Sequence, residues 1–258
     1  MERQSRFSYV CGRCGLCCRD KVIVLSPYDV IRIARAAKIS TGAAVARYTI
    51  RRGSLLHFLP DGRCAALDGP SCTIHAGRPL ACRLYPLGLE RIPDLDGAGY
   101  IERFVQLEAA TGSLGGYGVS GTVADFLHDQ SAAPHIDAIA RYHPLLAIFR
   151  NRVAAVVDFE RVEPREFWRR AAREALAETN YDPNPLIDAI FDPDELGCGR
   201  ASAEATAVAH VAAVGAMAAR ERDGELVAAA AVMLATSLGY GPGEAPGPPA
   251  GPGSSTRP

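Results

Sequence analysis

The sequence predicts a mainly α-helical protein in which a compact, cysteine-rich front with a few short strands packs on a helical back. Three observations carry this expectation. Seven of the eight cysteines fall before residue 83. From about Thr122 onward the chain is alanine-rich and repeats apolar residues at helical spacing. A glycine-rich run over residues 112–121 separates these two textures. The division that follows is a cysteine-cluster domain over 1–110, an α-helical domain over 122–238 and a disordered Gly/Pro tail over 239–258.

The elements follow in order. Residues 9–20 are too crowded with Cys and Gly for a regular helix, and Gly12 and Gly15 permit tight turns. Lys21 to Leu25 is a short β-branched run that reads as a strand. A helix then starts clearly: Ser26 can cap, Pro27 suits the first helical position, and Asp29 stands where a capping box places its acid. Val30, Ile31, Ile33, Ala34 and Ala37 form its apolar face. A second helix is expected over Thr41 to Arg51 with Thr41 as its cap. Ser54 to Asp68 reads as extended, turning at Pro60-Asp61-Gly62. Residues 69–93 read as loop, Asp94 to Gly99 as a turn, Tyr100 to Glu108 as a strand or short helix, and Gly112 to Gly121 as a connector.

Helical periodicity covers Val123 to Gln130, His135 to Val157 and Pro164 to Thr179. Asn180 to Asn184 is a turn cluster, and Pro185 to Phe191 a short helix. Ala201 to Arg222 and Glu225 to Leu238 read as two helices, with Gly224 as the stop between them.

Composition limits the function. With 258 residues the chain can bury a real core. Its formal net charge is −1, and its basic residues are arginine except Lys21 and Lys38. No basic patch stands out, so a nucleic-acid partner is not expected. The start, Met1 to Tyr9, is polar and no apolar signal core follows. The most apolar stretch, Ala205 to Leu238, is interrupted by His210, a charged run at residues 220–223 and Ser237, so no membrane span is expected. A cytoplasmic location follows as the expectation. In a reducing compartment a dense cysteine pattern reads as metal ligation or catalysis, not disulfides.

The densest signal is Cys11-Gly-Arg-Cys14-Gly-Leu-Cys17-Cys18. A two-residue gap lets a tight turn bring two thiolates to one ion, and two successive gaps match the opening of a bacterial ferredoxin run. The match ends there, because Cys18 follows at once. Adjacent side chains point apart, so Cys17 and Cys18 are not expected to serve one ion equally. Cys64, Cys72 and Cys82 are spaced too widely for a zinc knuckle and suit remote ligands brought in by folding. Zinc favours a closed set of four ligands. The excess of thiols and the ferredoxin-like triple favour a [4Fe-4S] cluster, with zinc as the alternative.

Two separated motifs carry a family resemblance. Cys11-x-x-Cys14-x-x-Cys17-Cys18 and Gly62-Arg-Cys64…Cys72-Thr-Ile…Arg78-Pro79…Cys82-Arg83…Pro86 resemble the YkgJ-type cysteine-cluster family, the zinc- or iron-chelating CxxCxxCC domain, over about residues 9–90. The acid-bearing helix with Asp29 is similar too. The resemblance implies a cysteine-ligated metal centre. It also brings in the flagellin lysine methylases, which are similar in this domain, and with them an iron–sulfur cluster and S-adenosylmethionine. This chain differs in having His75 where the family often has Tyr, and seven clustered cysteines where the family has eight. Cys198 is the remaining candidate for the eighth.

Arg78 and Arg83 flank Cys82 and could donate hydrogen bonds to a thiolate centre or lie in surface ion pairs. His75 could be a nitrogen ligand or an ordinary polar histidine, and Asp29 reads as a helix-start residue. His57, His128, His135, His143 and His210 have no ligand spacing. No phosphate loop, serine-hydrolase elbow or zinc-protease motif is present. Three function classes remain: a metal-binding module whose helical back meets a protein partner, an iron–sulfur methylase, and an electron carrier or redox sensor.

Overall fold

The structure, a computed structural model, describes residues 1–93, 100–176, 184–198 and 202–238. About half of the described residues are helical, and the strands are short and paired two by two. The expected turns at 94–99 and 180–183 and the tail at 239–258 lie outside the described residues.

Strand β1 (Arg6–Val10) leads into the first cysteines, and Leu16–Cys18 forms a single 3₁₀ turn. Helix α1 (Pro27–Ala37) has the expected capping box: Ser26 Oγ accepts from the Asp29 amide, and the Asp29 carboxylate accepts from the Ser26 amide. Lys21 to Leu25 is not a strand. Only Val24 bridges, to Leu55, because the chain must turn here into the cap of α1.

Helix α2 (Thr41–Tyr48) is capped by Ser40, not Thr41. The Thr41 hydroxyl is engaged elsewhere, donating to Asp192 Oδ1 at 2.5 Å, while its amide donates to Asp194. Two-residue strands β2 (Thr49–Ile50) and β3 (Leu55–Leu56) pair, as do β4 (Leu67–Asp68) and β5 (Ser71–Cys72). Helix α3 (Leu80–Leu84) follows.

Residues 69–93 are not loop throughout. Strand β6 (Leu87–Pro93) pairs antiparallel with β7 (Tyr100–Gln106), from Leu87 opposite Gln106 to Pro93 opposite Tyr100. The Gly and Pro that argued against a strand are tolerated because a two-stranded ribbon is all edge. The glycine run is likewise a strand in part. In β8 (Gly116–Thr122), Gly116 and Gly118 face Val10 and Ser8 of β1. A side chain at 118 would press on the Ser8 hydroxyl, so glycine lets the two backbones approach.

The helical part comprises α4 (Val123–Asp129), α5 (Ala133–Arg141), α6 (His143–Ala154), α7 (Pro164–Leu176), α8 (Pro185–Phe191), α9 (Ala203–Ala218) and α10 (Asp223–Leu238). The single helix expected over 135–157 is two, divided at Tyr142, because Pro144 at the head of α6 has no amide to continue α5. Gly224 is not a stop but lies in the first turn of α10.

The largest core cluster draws from both halves of the sequence. Tyr28, Ile31 and Ile33 of α1 join Leu145 and Phe149 of α6, Phe191 of α8, Val214 of α9 and Leu226 of α10. Each such fully buried side chain contributes about 1.5–3 kcal/mol. Polar ties reinforce the contact: Tyr28 donates to Glu204 at 2.8 Å and Arg35 to Thr206 at 3.0 Å. A second cluster joins Phe7, Leu80, Leu84, Phe104, Phe126 and Ile136. No described helix is long and apolar enough to cross a membrane.

Candidate metal centre

The seven front cysteines separate into an inner group and a rim. The inner group begins with the 3₁₀ turn, where the Cys18 amide donates to Gly15 O at 3.1 Å. This tight turn brings the Cys17 and Cys18 sulfurs within 3.9 Å of each other. The expectation that the adjacent thiols turn apart is thus not met, because a 3₁₀ turn does not alternate its side chains as a strand does. The two thiols share a hydrogen bond. That hydrogen bond pulls the Cys17 thiol down to about 6 against the effect of burial, and holds the Cys18 thiol far above its ordinary value.

Residues 18–20 then run antiparallel to residues 62–64. The Cys64 amide donates to Cys18 O at 3.0 Å and the Asp20 amide to Gly62 O at 2.8 Å. Gly62 has φ +78°, and a methyl group there would overlap the Asp20 carboxylate. Cys64 is only 6 % exposed, in the main core. Cys18, Cys72 and Cys82 pack against that core. Cys72 sits opposite Leu67 in the β4–β5 hairpin, and Cys82 sits in the middle of α3.

Electrostatics connect the five. Burial raises the thiols of Cys64, Cys72 and Cys82. Negative charge on Cys64, Cys72, Asp29 and Cys17 raises Cys82 further, and charge on Cys17, Cys82 and Cys72 adds to the elevation of Cys18. These sulfurs therefore share one electrostatic neighbourhood. They resist losing their protons together unless a cation joins them.

Cys11 and Cys14 form the rim. Cys11 is exposed, its sulfur accepting from the Arg13 amide at 3.4 Å. The Cys14 thiol is lowered by the backbone amides of Leu114 and Leu16 and by the Ser113 hydroxyl. Residues 113–114 close over this side so tightly that a methyl group on Gly12 would overlap Leu114. Nothing in the early motif announces that loop.

Arg78 faces the sulfurs through the charges of Cys82, Cys72 and Cys11, while burial lowers its own value. Its hydrogen bonds go to Gln130 Oε1 at 2.9 Å and to His75 O at 3.0 Å. Arg83 donates to the carbonyls of Arg78, Gln130 and Ala76 at 3.1, 3.0 and 2.6 Å, and burial brings it down to about 10. Neither guanidinium hydrogen-bonds a sulfur among the described residues. Both shape the loop before Cys82 instead. His75 is exposed and touches Arg78 through Nδ1. Cys198 contacts Leu196 O, and burial and the charge of Asp194 raise its thiol.

Asp29 does more than start a helix. Its carboxylate accepts from Ser26 N, Ser26 Oγ, Leu80 N and His135 Nδ1, the last at 3.3 Å. Burial would raise it, but His135 and Ser26 bring it below its ordinary value. His135 was unreadable from the sequence because its partner lies 106 positions away.

Among the described residues, no three His, Cys, Asp or Glu side chains stand ready to hold a metal ion. The inner thiols are neighbours, not a finished coordination shell. The donor chemistry still fits a thiophilic metal: several soft sulfurs, mostly shielded from water, with Arg78 as a nearby positive charge.

The fold and site define a helix-rich protein built around a two-part cysteine cluster. Residues 10–101 match the family model CxxCxxCC, described as "Putative zinc- or iron-chelating domain". The comparisons with curated proteins and with solved structures gave no match.

Proposed function

We propose that this protein holds a metal through Cys17, Cys18, Cys64, Cys72 and Cys82, with Cys11 and Cys14 completing the site from the rim. The observation that carries this reading is the meeting of the early motif with the later cysteines, joined directly where the Cys64 amide bonds Cys18 O. The family match supports zinc or iron as the metal.

Of the two, a [4Fe-4S] cluster is the reading we put first. A structural zinc site closes with four ligands, and five thiols already share the inner neighbourhood. Ligation needs side-chain rotations that draw the sulfurs inward, and metal binding would supply the driving free energy. No observation beyond the resemblance favours a methylase or an electron carrier.

Protein purified without oxygen should be brown and carry about four irons with matching sulfide per chain. A colourless protein with one equivalent of zinc would replace the cluster by a four-thiolate zinc site. Protein with neither metal, and unable to take up either, would overturn the reading.

A further inference from the structure

We propose that Gln130 and His135, both outside the matched segment, are positioning residues that fix Cys82 through Asp29, Arg78 and Arg83. The inference rests on the reading of Cys82 as a metal ligand and says what holds it in place.

Helix α3, which carries Cys82, has only five residues. So short a helix cannot hold itself in water. Its N-cap is Pro79, which offers no side-chain acceptor for the first amides. The acceptor comes from another element instead: the Leu80 amide donates to Asp29 Oδ1 at 2.9 Å. That oxygen also receives His135 Nδ1, while Oδ2 is occupied by Ser26. His135 thus completes the shell of the carboxylate that caps the cysteine helix. The Asp29 carboxylate accepts only, so His135 Nδ1 carries a proton. Nε2 is buried and has no partner among the described residues, so the contact to Asp29 is the ring's one hydrogen bond to them.

Gln130 holds the same segment from its other side. Its carbonyl accepts from Arg83 at 3.0 Å, and its side chain accepts from Arg78 at 2.9 Å. Arg83, on α3 itself, also grips Ala76 O and Arg78 O. Gln130, at the end of α4, therefore reaches the loop before Cys82, and His135, in the first turn of α5, reaches the head of its helix through Asp29. Outer groups of this kind commonly change metal affinity by about 10–100-fold when removed.

The test uses the full chain loaded with cobalt(II), whose thiolate charge-transfer band reports bonded sulfurs. His135→Ala should lower cobalt affinity by about 10-fold or more and weaken the band. His135→Asn, which can still offer an N–H to Asp29, should restore both. His210→Gln, a change at a buried histidine in the other half of the core, should lower the melting temperature and leave the band unchanged. In the metal-free chain, His135→Ala should speed alkylation of Cys82 relative to Cys64, read by mass spectrometry. The proposal requires both effects in a chain that takes the metal, and an unchanged band or an unchanged labelling ratio overturns it. If neither the parent chain nor any variant binds cobalt, the labelling ratio alone decides the clamp.

Discussion

The Cys64 amide donates to the Cys18 carbonyl at 3.0 Å, so two cysteines 46 positions apart in the chain are backbone neighbours. This bond sets which sulfurs can act together. Cys18 brings Cys17 with it through the 3₁₀ turn, and Cys64 leads through a short hairpin to Cys72. Cys82 arrives separately, on a helix held by Asp29 and Arg83. The inner site is thus assembled from three backbone devices, while Cys11 and Cys14 sit where β1 ends and residues 113–114 fold over.

Inner and rim cysteines should therefore respond differently to substitution. Cys82→Ser removes a half-buried thiol from the inner group, and Cys11→Ser an exposed one. Metal content by elemental analysis should collapse in the first and fall far less in the second, with affinities separated by about 10-fold or more. Equal losses would mean that the division into core and rim has no functional content.

Gly62 tests the backbone that brings the two motifs together. An alanine at φ +78° is strained, and its methyl group would displace Asp20, whose amide bonds Gly62 O. Gly62→Ala should cost about 2 kcal/mol in urea unfolding and weaken metal binding at the same time. A variant as stable as the parent, with full affinity, would show that the 18–20 and 62–64 pairing is dispensable.

Local signals in the sequence were reliable where the partners are close in the chain. Ser26, Pro27 and Asp29 encode the start of α1 within four residues, and the structure has that capping box. Pro185 to Phe191 is helical as read, capped by Asn184. What the sequence hid depends on distant partners. The glycine run became a strand only because residues 6–10 lie beside it. Thr41 lost its cap role to Ser40 because Asp192 takes its hydroxyl. The cysteine motif was visible at once, yet the positions that hold Cys82, Gln130 and His135, carry no spacing signal because each acts across more than 45 residues.

Gly224 offers the opposite outcome to Gly62. It lies in the first turn of α10 with open space where a side chain would stand, and without a left-handed backbone. Gly224→Ala should stabilise the protein by about 0.5–1 kcal/mol, mainly by restricting the unfolded chain. A shift of the urea midpoint to lower concentration would show that the helix does not begin before residue 224.

His210 should make stability depend on pH between neutrality and mild acid. The ring is fully buried, and its Nε2 meets the Ala189 carbonyl at 2.7 Å, which can only accept, so that nitrogen carries the proton. Nδ1 is then free to accept from the Tyr142 hydroxyl at 2.9 Å. Both bonds suit the neutral ring. Burial lowers its value to about 4, against which Ala189 O and the charge of Asp192 act only in part. The unfolded chain, with an ordinary histidine near 6.5, binds a proton more readily, so acid favours unfolding. The stabilisation is complete above about pH 6.5 and is lost as pH falls toward 4, by about 3 kcal/mol across the window. Urea unfolding of the parent and of His210→Gln at a series of pH values isolates this contribution from that of the carboxylates. The variant should be the less stable at pH 7, and the gap should narrow on acidification. A gap that stays constant from pH 7 to 4.5 would mean that His210 titrates alike in the folded and unfolded chain.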